Sequence, residues 1–181
     1  QKEDAVYIYV SDPLSALMEL AKWHRYSYNI PIIGISGSHG KTIVKEWLGN
    51  LLSDKFKVVK SPKSYNSKLG LALSILELHA EAEVGVFEVS ITEPGEGNLF
   101  RDLLKPTIVG LTSILKKPIG TIKSKKDLLA EYACFSGESE HVFYPYGTDF
   151  KSIQQVSHVA LEPNKFAEHL QVLNFSQDVK K

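Results

Sequence analysis

A glycine-rich turn between an apolar run and an amphipathic segment constrains this chain more than any other feature. Ile32-Ile33-Gly34-Ile35 is the kind of short apolar run that forms a buried parallel strand. Gly37-Ser38-His39-Gly40-Lys41-Thr42 follows it directly. Apolar residues then recur at helical spacing, namely Ile43, Val44, Trp47, Leu48, Leu51 and Leu52. The pattern predicts a strand, a tight loop and a helix that packs back on the sheet.

A glycine loop that opens a helix is suited to hold a phosphate group. Glycines let backbone N–H groups point inward, and the helix N-terminus adds partial positive charge. The Lys41 ammonium can reach outer phosphates, and the Thr42 hydroxyl can bind Mg²⁺. The general spacing G-x-x-x-x-G-K-[ST] requires glycine at Ile35, so the ordinary P-loop pattern fails by one residue. The alternative interpretation is a plain glycine turn with a solvated Lys41.

Strand and helix patterns alternate along the rest of the chain. Strands are predicted at 5–10, 56–60, 84–89, 107–111 and 141–144, with helices between them, one of them at about 124–135. Weaker apolar signals continue at 156–161 and 170–175. This order predicts an α/β fold, a three-layer P-loop-type domain with a mostly parallel sheet and helices on both faces. Leu69, Leu73 and Leu76 are expected on the buried side of one helix, and Trp23 and Trp47 are expected to anchor theirs against the sheet.

Glu88 lies near the C-terminal end of a predicted strand, so it shares the carboxyl edge of the sheet with the glycine loop. Ligands of parallel α/β sheets bind at that edge. The apolar run Val84-Gly85-Val86-Phe87 before it favours an inward-facing carboxylate, and a solvated strand end is the alternative.

Length and composition limit the number of domains, the classes of partner and the cellular compartment that we expect for this protein. The 181 residues suit one domain, and 21 basic against 21 acidic residues give no basic excess for nucleic acid. No apolar run reaches the roughly 20 residues that span a bilayer. Cys134 is the single cysteine, which favours a reducing cytoplasm. The chain has no initial Met and ends on Lys180-Lys181, so we expect a fragment of a longer protein. We expect one domain over 1–181, with 1–13 as the lead-in from a missing N-terminal domain.

The loop resembles the variant phosphate loop of the Mur ligase family, G-[ST]-x-G-K-[ST]. The flanking residues Ile30-Pro31, Lys45-Glu46-Trp47, Ser61-Pro62-Lys63-Ser64-Tyr65-Asn66-Ser67 and Pro94-Gly95-Glu96 are similar to the branch that adds D-alanyl-D-alanine. The resemblance includes the ligase half of fusions with alanine racemase, so a fused racemase is one expected partner. It extends well over 14–113 and weakens beyond 135.

The resemblance implies the central ATP-binding domain of a three-domain ligase, whose N-terminal domain holds the UDP-sugar and whose C-terminal domain receives the amine. ATP and Mg²⁺ are the implied cofactors, and UDP-MurNAc-peptide and D-Ala-D-Ala the implied substrates. Lys41 and Glu88 would be catalytic, Thr42 and Glu88 would bind metal, and Asn66 and Ser90 would face the substrate. The nucleotide-binding set would be Gly37, Ser38, His39, Gly40, Lys41, Thr42 and Ile43.

The chain departs from the family pattern at metal-side positions. Ser113 replaces the usual Asn, Pro118 the metal-binding His, and Glu131 the lysine that becomes carbamylated. Glu131 is either a partial carboxylate substitute at the metal or a solvated helix residue. Near the adenine only Asp149 is in place. Because two metals normally offset the reacting charges, the hypothesis is a domain that binds Mg-ATP but ligates poorly or not at all.

Two other functions compete with the ligase. One is an inactive nucleotide-binding module with a structural or regulatory role beside a fused enzyme. The other is a folylpolyglutamate synthetase-like ligase, which Lys41-Thr42 and Ser61-Pro62-Lys63 disfavour. A lysine cluster is interpreted as a solvated surface, and comprises Lys116, Lys117, Lys123, Lys125 and Lys126.

Overall fold

A computed structural model describes residues 6–114, 119–145 and 148, together with the backbone of 157–161. Its helices are α1 (Pro13–Tyr26), α2 (Lys41–Ser53), α3 (Lys68–Ile75), α4 (Glu96–Leu104) and α5 (Lys125–Ser136). Its strands are β1 (Ile32–Ser36), β2 (Val58–Lys60), β3 (Val84–Glu88), β4 (Ile108–Leu111), β5 (His141–Pro145) and β6 (Ser157–Leu161). The weaker apolar signal at 170–175 lies outside the described residues.

The six strands form one sheet in the order β2-β3-β1-β4-β5-β6, and every described pairing is parallel. In the central pairings, Ile35 lies opposite Glu88 on one side and Gly110 on the other. The chain leaves β1 toward β2 and leaves β4 toward β5, so the strand order reverses between β1 and β4. Such a reversal opens a crevice beyond the carboxyl ends of the strands. The predicted parallel α/β fold is confirmed.

The two faces of the sheet are covered unequally. On one face, α2 packs Leu48 and Leu52 against a small cluster of buried strand residues, Ile33, Ile35, Val84 and Val86. The opposite face carries the larger core, to which α1, α3, α4 and α5 all contribute. Gly34 faces that side, and a Cβ there would lie 2.7 Å from Cζ of Phe135, so α5 packs closely on the middle of β1.

Side-chain caps fix the starts of three helices where the sequence provides a suitable residue. Asp12 accepts hydrogen bonds from the first turn of α1, Ser67 from Gly70 N in α3, and Ser124 from Asp127 N in α5. Such caps satisfy amides that have no partner inside the helix, and each contributes about 1 kcal/mol.

Several predicted helix faces are wrong, although the helices themselves are confirmed. Trp23 is 70% exposed and Trp47 68% exposed, so neither anchors its helix against the sheet. In α3 the buried residues include Leu71, Ala72 and Ile75, whereas Leu69 and Leu73 are exposed. When the apolar face of a helix is wider than the surface it packs against, the sequence does not determine which part of that face is buried.

The strand predicted at 5–10 is also wrong for the described part, 6–10. Those residues belong to no helix or strand, and Val6, Ile8 and Tyr9 are more than four-fifths exposed. A strand needs a neighbour to accept its backbone hydrogen bonds, and no described strand pairs with this segment.

Candidate functional site

The glycine loop lies at the point where the strand order reverses. It leaves the carboxyl end of β1 and enters α2, while Thr112 and Ser113 leave the neighbouring β4 beside it. Gly37 has φ +125 and Gly40 has φ +81, both in the region that favours glycine. A Cβ on Gly37 would lie 2.5 Å from Thr112 Oγ1 and 2.9 Å from the backbone of Ser113. Gly37 is therefore required both for its conformation and for this close approach.

Thr112 and Ser113 hold the glycine loop from the side. Ser38 N donates to Ser113 O at 2.8 Å, and His39 N donates to Ser113 Oγ at 2.8 Å. His39 O accepts from Thr112 Oγ1 at 2.6 Å and from Ser113 Oγ at 3.2 Å. These contacts involve the backbone of His39, whose side chain is exposed. Sequence reasoning treated Ser113 only as a departure, although its short hydroxyl side chain is a donor and acceptor beside the loop.

The start of α2 carries no side-chain cap. Gly40 occupies the cap position and, unlike the capped helices, supplies no side-chain acceptor. The amides of Lys41, Thr42 and Ile43 belong to the first turn, where an α-helix provides no internal acceptors. The partial positive charge of the helix start is thus directed at the mouth of the loop.

Lys41 projects into the same region. Its Nζ donates to Gly37 O at 2.9 Å, so the ammonium folds back across the loop. Burial lowers the pKa of the Lys41 ammonium from its ordinary value, and the negative charge of Glu88 partly opposes that shift. A half-buried cation held by one neutral carbonyl is well placed to exchange that carbonyl for a phosphate oxygen.

Glu88 is the centre of a polar cluster at the end of β3. The residue is 1% exposed, and its carboxylate accepts from Thr42 Oγ1 at 2.8 Å and from Asn66 Nδ2 at 2.6 Å. Ser64 Oγ lies 3.1 Å from Thr42 Oγ1. The inward orientation predicted for Glu88 is therefore observed, and a solvated strand end is not. The cluster unites residues that sequence reasoning assigned separately to metal and substrate.

Lys45 fixes the segment that brings Ser64 and Asn66 to Glu88. Its side chain is fully buried, and its Nζ donates to Ser61 O at 2.7 Å and also to Lys63 O. Glu46 Oε1 lies 2.9 Å from the same nitrogen. Ser61 Oγ in turn accepts from Glu88 N at 2.8 Å, which links the segment to β3. In the sequence Lys45 appears only within a flanking motif and receives no role, because a buried lysine cannot be recognised without its acceptors.

Two further assigned residues lie at the margin of the cluster. Ser90 is half-buried, and its backbone N donates to Asn66 O at 2.9 Å, so it fixes the position of Asn66. Ile43 lies in the first turn of α2 with 57% of its side chain exposed. Their predicted substrate-side and nucleotide-side roles remain predictions.

The side chain of Glu131 reaches from α5 to the start of α4. Its Oε1 accepts from Gly95 N and its Oε2 from Gly97 N, both at 2.7 Å. Gly95 supplies no side-chain cap of its own, so the distant carboxylate serves as the cap. Neither interpretation drawn from the sequence included this contact. Among the described residues no group of three or more His, Cys, Asp or Glu side chains is arranged to hold a metal ion.

The variant Glu131→Gln tests whether the Glu131 carboxylate caps α4 or binds a metal ion. The glutamine retains one acceptor oxygen and loses the negative charge at the helix start, so we expect a loss of about 1 kcal/mol in the free energy of unfolding. The Mg²⁺ concentration needed for nucleotide binding should stay unchanged. Urea denaturation and a Mg²⁺ titration of nucleotide affinity measure the two effects. A raised Mg²⁺ requirement would instead support the predicted metal role of Glu131.

Several sequence predictions concern residues outside the described part of the chain. They are the loss of a metal ligand at Pro118, the adenine-side role of Asp149, and the solvated positions of Lys116 and Lys117. Lys123, Lys125 and Lys126 are described, and all three are exposed, as a solvated surface requires.

The donor set around Glu88 fits a hard divalent cation. Mg²⁺ takes oxygen ligands and is commonly held by one or two protein groups together with phosphates and waters. The Thr42 hydroxyl and the Glu88 carboxylate, 2.8 Å apart, supply such oxygens beside the loop. None of the helices in the described part of the chain has the length and hydropathy that a bilayer crossing requires.

The sheet order, the loop and its neighbouring carboxylate define a parallel α/β domain of the P-loop type. The model of the Mur ligase middle domain matches residues 35–143, which is more than half of the chain. The chain therefore belongs to the Mur ligase middle-domain family.

Two relatives with known names indicate which branch of that family this chain is similar to. The chain is 34% identical over 141 residues to the UDP-N-acetylmuramoyl-tripeptide–D-alanyl-D-alanine ligase of Borreliella burgdorferi, covering 78% of this chain and 30% of that protein. The corresponding ligase of Treponema pallidum is 34% identical over 139 residues, with 76% and 30% covered. The chain thus spans less than a third of the length of these relatives.

Solved structures agree on the fold. A UDP-N-acetylmuramoylalanyl-D-glutamyl-2,6-diaminopimelate–D-alanyl-D-alanyl ligase from Acinetobacter baumannii superposes with a TM-score of 0.77 at 21% identity, covering 91% of this chain and 39% of that one. The MurF ligase from Thermotoga maritima in complex with ADP gives a TM-score of 0.73 at 22% identity, covering 87% and 39%.

Proposed function

We propose that this chain binds Mg-ATP as the central domain of a ligase that adds D-Ala-D-Ala to a UDP-MurNAc-peptide in peptidoglycan precursor synthesis. The family membership and the names of the relatives support the reaction class. A cytoplasmic setting follows from those substrates. UDP-sugar-binding and amine-binding domains, and a fused alanine racemase, are the proposed partners within a longer protein.

The observation that carries the proposal is the arrangement of Lys41, Thr42 and Glu88 around the uncapped start of α2. The helix start supplies amides and partial positive charge, and Lys41 supplies a full positive charge within reach of the loop. Glu88 lies next to Thr42, on the side where the outer phosphates of a bound nucleotide would emerge. A plain glycine turn would not need a buried carboxylate at this place.

The chemistry we assign is phosphoryl transfer from ATP to a carboxylate, followed by attack of an amine on the acyl phosphate. Catalysis of phosphoryl transfer consists mainly of positioning and charge stabilisation. Lys41 would exchange Gly37 O for a phosphate oxygen and keep its charge there. Thr42 and Glu88 would hold Mg²⁺, which supplies charge neutralisation when bound. Asn66 orients the Glu88 carboxylate and borders the substrate side.

A second candidate is a nucleotide-binding module with little or no ligase activity. The contact that favours it is Glu131, whose two oxygens are both bonded to backbone amides of α4. A carboxylate held in that way is not available to replace the carbamylated lysine at the metal. In this second candidate function, the chain binds Mg-ATP but catalyses little or no ligation.

The test of the proposal is calorimetric titration of the chain with Mg-ATP, repeated on Lys41→Ala. Because a charge-assisted hydrogen bond contributes about 1.5–3 kcal/mol, we expect the variant to bind roughly 10–100-fold more weakly. Thermal stability should hardly change, since Lys41 bonds to a single carbonyl. Lys55→Ala, an exposed lysine beyond the far end of α2, is the matched control and should bind like the unchanged chain.

The outcomes distinguish the candidates. If the unchanged chain binds no Mg-ATP, both are wrong. If it binds, phosphate release by the full-length protein with UDP-MurNAc-tripeptide and D-Ala-D-Ala decides between them. Turnover at an ordinary enzymatic rate would reject the inactive module.

A further inference from the structure

Lys63, between β2 and α3, has a backbone conformation that a lysine disfavours. Its φ is +48, in the left-handed region that favours glycine. Lys105, with φ +44, is the other non-glycine residue with a positive φ in the described part of the chain. Lys105 caps the end of α4, where left-handed residues commonly close helices, and its ammonium lies 4.2 Å from the centre of the Tyr26 ring. The fold thus explains Lys105 but not Lys63.

The conformation of Lys63 is imposed by its neighbours. Tyr65 N donates to Pro62 O at 3.1 Å, which makes Lys63 and Ser64 the central pair of a tight turn. The buried Lys45 ammonium donates to Lys63 O. Strained residues persist where surrounding contacts impose them, and they concentrate at binding and catalytic sites. A glycine would adopt this turn without strain, so the presence of a lysine points to a role for its side chain.

The same turn brings Lys63 to the polar cluster beside the glycine loop. Ser64, the next residue, has its Oγ 3.1 Å from Thr42 Oγ1, which belongs to the first turn of α2. Thr42 Oγ1 in turn donates to Glu88. On this side of the loop the outer phosphates of a bound nucleotide would emerge. Lys63 is therefore one residue away from a side chain that contacts the proposed Mg²⁺ ligands.

The Lys63 side chain is available for a ligand. It is exposed, and its ammonium has no ion-pair or hydrogen-bond partner among the residues that the structure describes. Lys68, at the start of α3, is by contrast paired with Glu93 and Glu96. A lysine carries its charge on a flexible four-carbon stem and binds phosphate as a point charge. Lys63 thus supplies a full positive charge that no contact of the described fold neutralises.

We propose that Lys63 binds the terminal phosphate of Mg-ATP from the Glu88 side of the glycine loop. Lys41 binds from within the loop, so two ammonium groups flank the phosphate that is to be transferred. Fixed positive charge at a transferring phosphoryl group is a main source of catalysis in such reactions. ADP lacks the terminal phosphate, so the contact is specific for the triphosphate. This inference rests on the proposed nucleotide binding.

The test is Lys63→Asn, which removes the charge and introduces a residue that tolerates the left-handed conformation better. Calorimetry gives the Kd for Mg-ATP and for Mg-ADP, and thermal unfolding without nucleotide gives the stability. We expect the Kd for Mg-ATP to rise about 5–10-fold and the Kd for Mg-ADP to change less than about twofold. The melting temperature should be unchanged or higher, because the turn is less strained. Lys63→Arg keeps the charge and should bind Mg-ATP like the unchanged chain.

Lys105→Asn is the matched control, because it removes one positive charge at the other left-handed lysine. Lys105 directly precedes the segment that enters β4, at the edge of the sheet away from the glycine loop, so both Kd values should stay unchanged. An unchanged Kd for Mg-ATP in Lys63→Asn, or an equal loss of affinity for Mg-ADP, would overturn the inference. So would an equal loss in Lys105→Asn, or a fall in the nucleotide-free melting temperature of Lys63→Asn. If the unchanged chain binds neither nucleotide, the proposed function itself fails.

Discussion

Gly37→Ala is expected to destabilise the chain by about 2–5 kcal/mol and to abolish measurable Mg-ATP binding. Two costs add at this position: the positive φ, about 1–2 kcal/mol, and the overlap of the new Cβ with its neighbours, about 1–3 kcal/mol. The overlapping atoms are Thr112 Oγ1 at 2.5 Å and the Ser113 backbone at 2.9 Å. Ser113 also holds Ser38 and His39, so any relief of the overlap would displace the loop.

Gly95→Ala is the matched control for this prediction. Gly95 has φ +89, but no atom lies within 4 Å of the Cβ it would gain. It should therefore show only the conformational cost of about 1–2 kcal/mol. Urea denaturation gives both stabilities, and calorimetry gives the affinity for Mg-ATP. Equal losses of stability in the two variants would show that the close approach to Thr112 and Ser113 has no energetic consequence.

Lys45→Met is expected to cost about 2–4 kcal/mol in the free energy of unfolding, even though it replaces a charge with an apolar side chain of similar length. The substitution removes the donor of Ser61 O, which is buried, and of Lys63 O. A buried acceptor left without a donor costs about 1–3 kcal/mol. The segment that carries Ser64 and Asn66 should detach from Glu88, and Mg-ATP affinity should fall with it.

Lys60→Met is its counterpart at the surface. Lys60 Nζ lies 2.6 Å from Glu46 Oε2, so both lysines pair with the same carboxylate, but Lys60 is about one-third exposed. Exposed ion pairs contribute about 0–1 kcal/mol, and we expect a loss within that range. Chemical denaturation of the two variants under the same conditions measures the difference. A similar small loss in both would mean that the buried carbonyls do not depend on Lys45.

The element types and the loop followed from the sequence because their signals are local. Strands and helices show in the spacing of apolar residues, and the glycines mark a turn that other residues cannot adopt. Glu88 could be assigned to the same edge as the loop, since parallel strands end on one side of a sheet. These inferences needed only neighbours along the chain.

The choice of buried helix face was not predictable in the same way. In α2 the sequence suggested an apolar side that includes Trp47, yet Trp47 is 68% exposed and Lys45 is fully buried. The lysine is buried because carbonyls of Ser61 and Lys63 accept its hydrogen bonds. Their availability depends on where the strand before them lies, which periodicity does not encode.

The parallel α/β class, the glycine loop and the placement of Glu88 beside that loop can therefore all be derived from the amino-acid sequence. The hydrogen bonds that Ser113 makes to His39 across 74 positions of the chain, and that Glu131 makes to α4 across 34 positions, could be found only in the folded structure. This difference arises because conformational preferences act between residues a few positions apart. A hydrogen bond between distant side chains exists only after the sheet order and helix packing have brought them together.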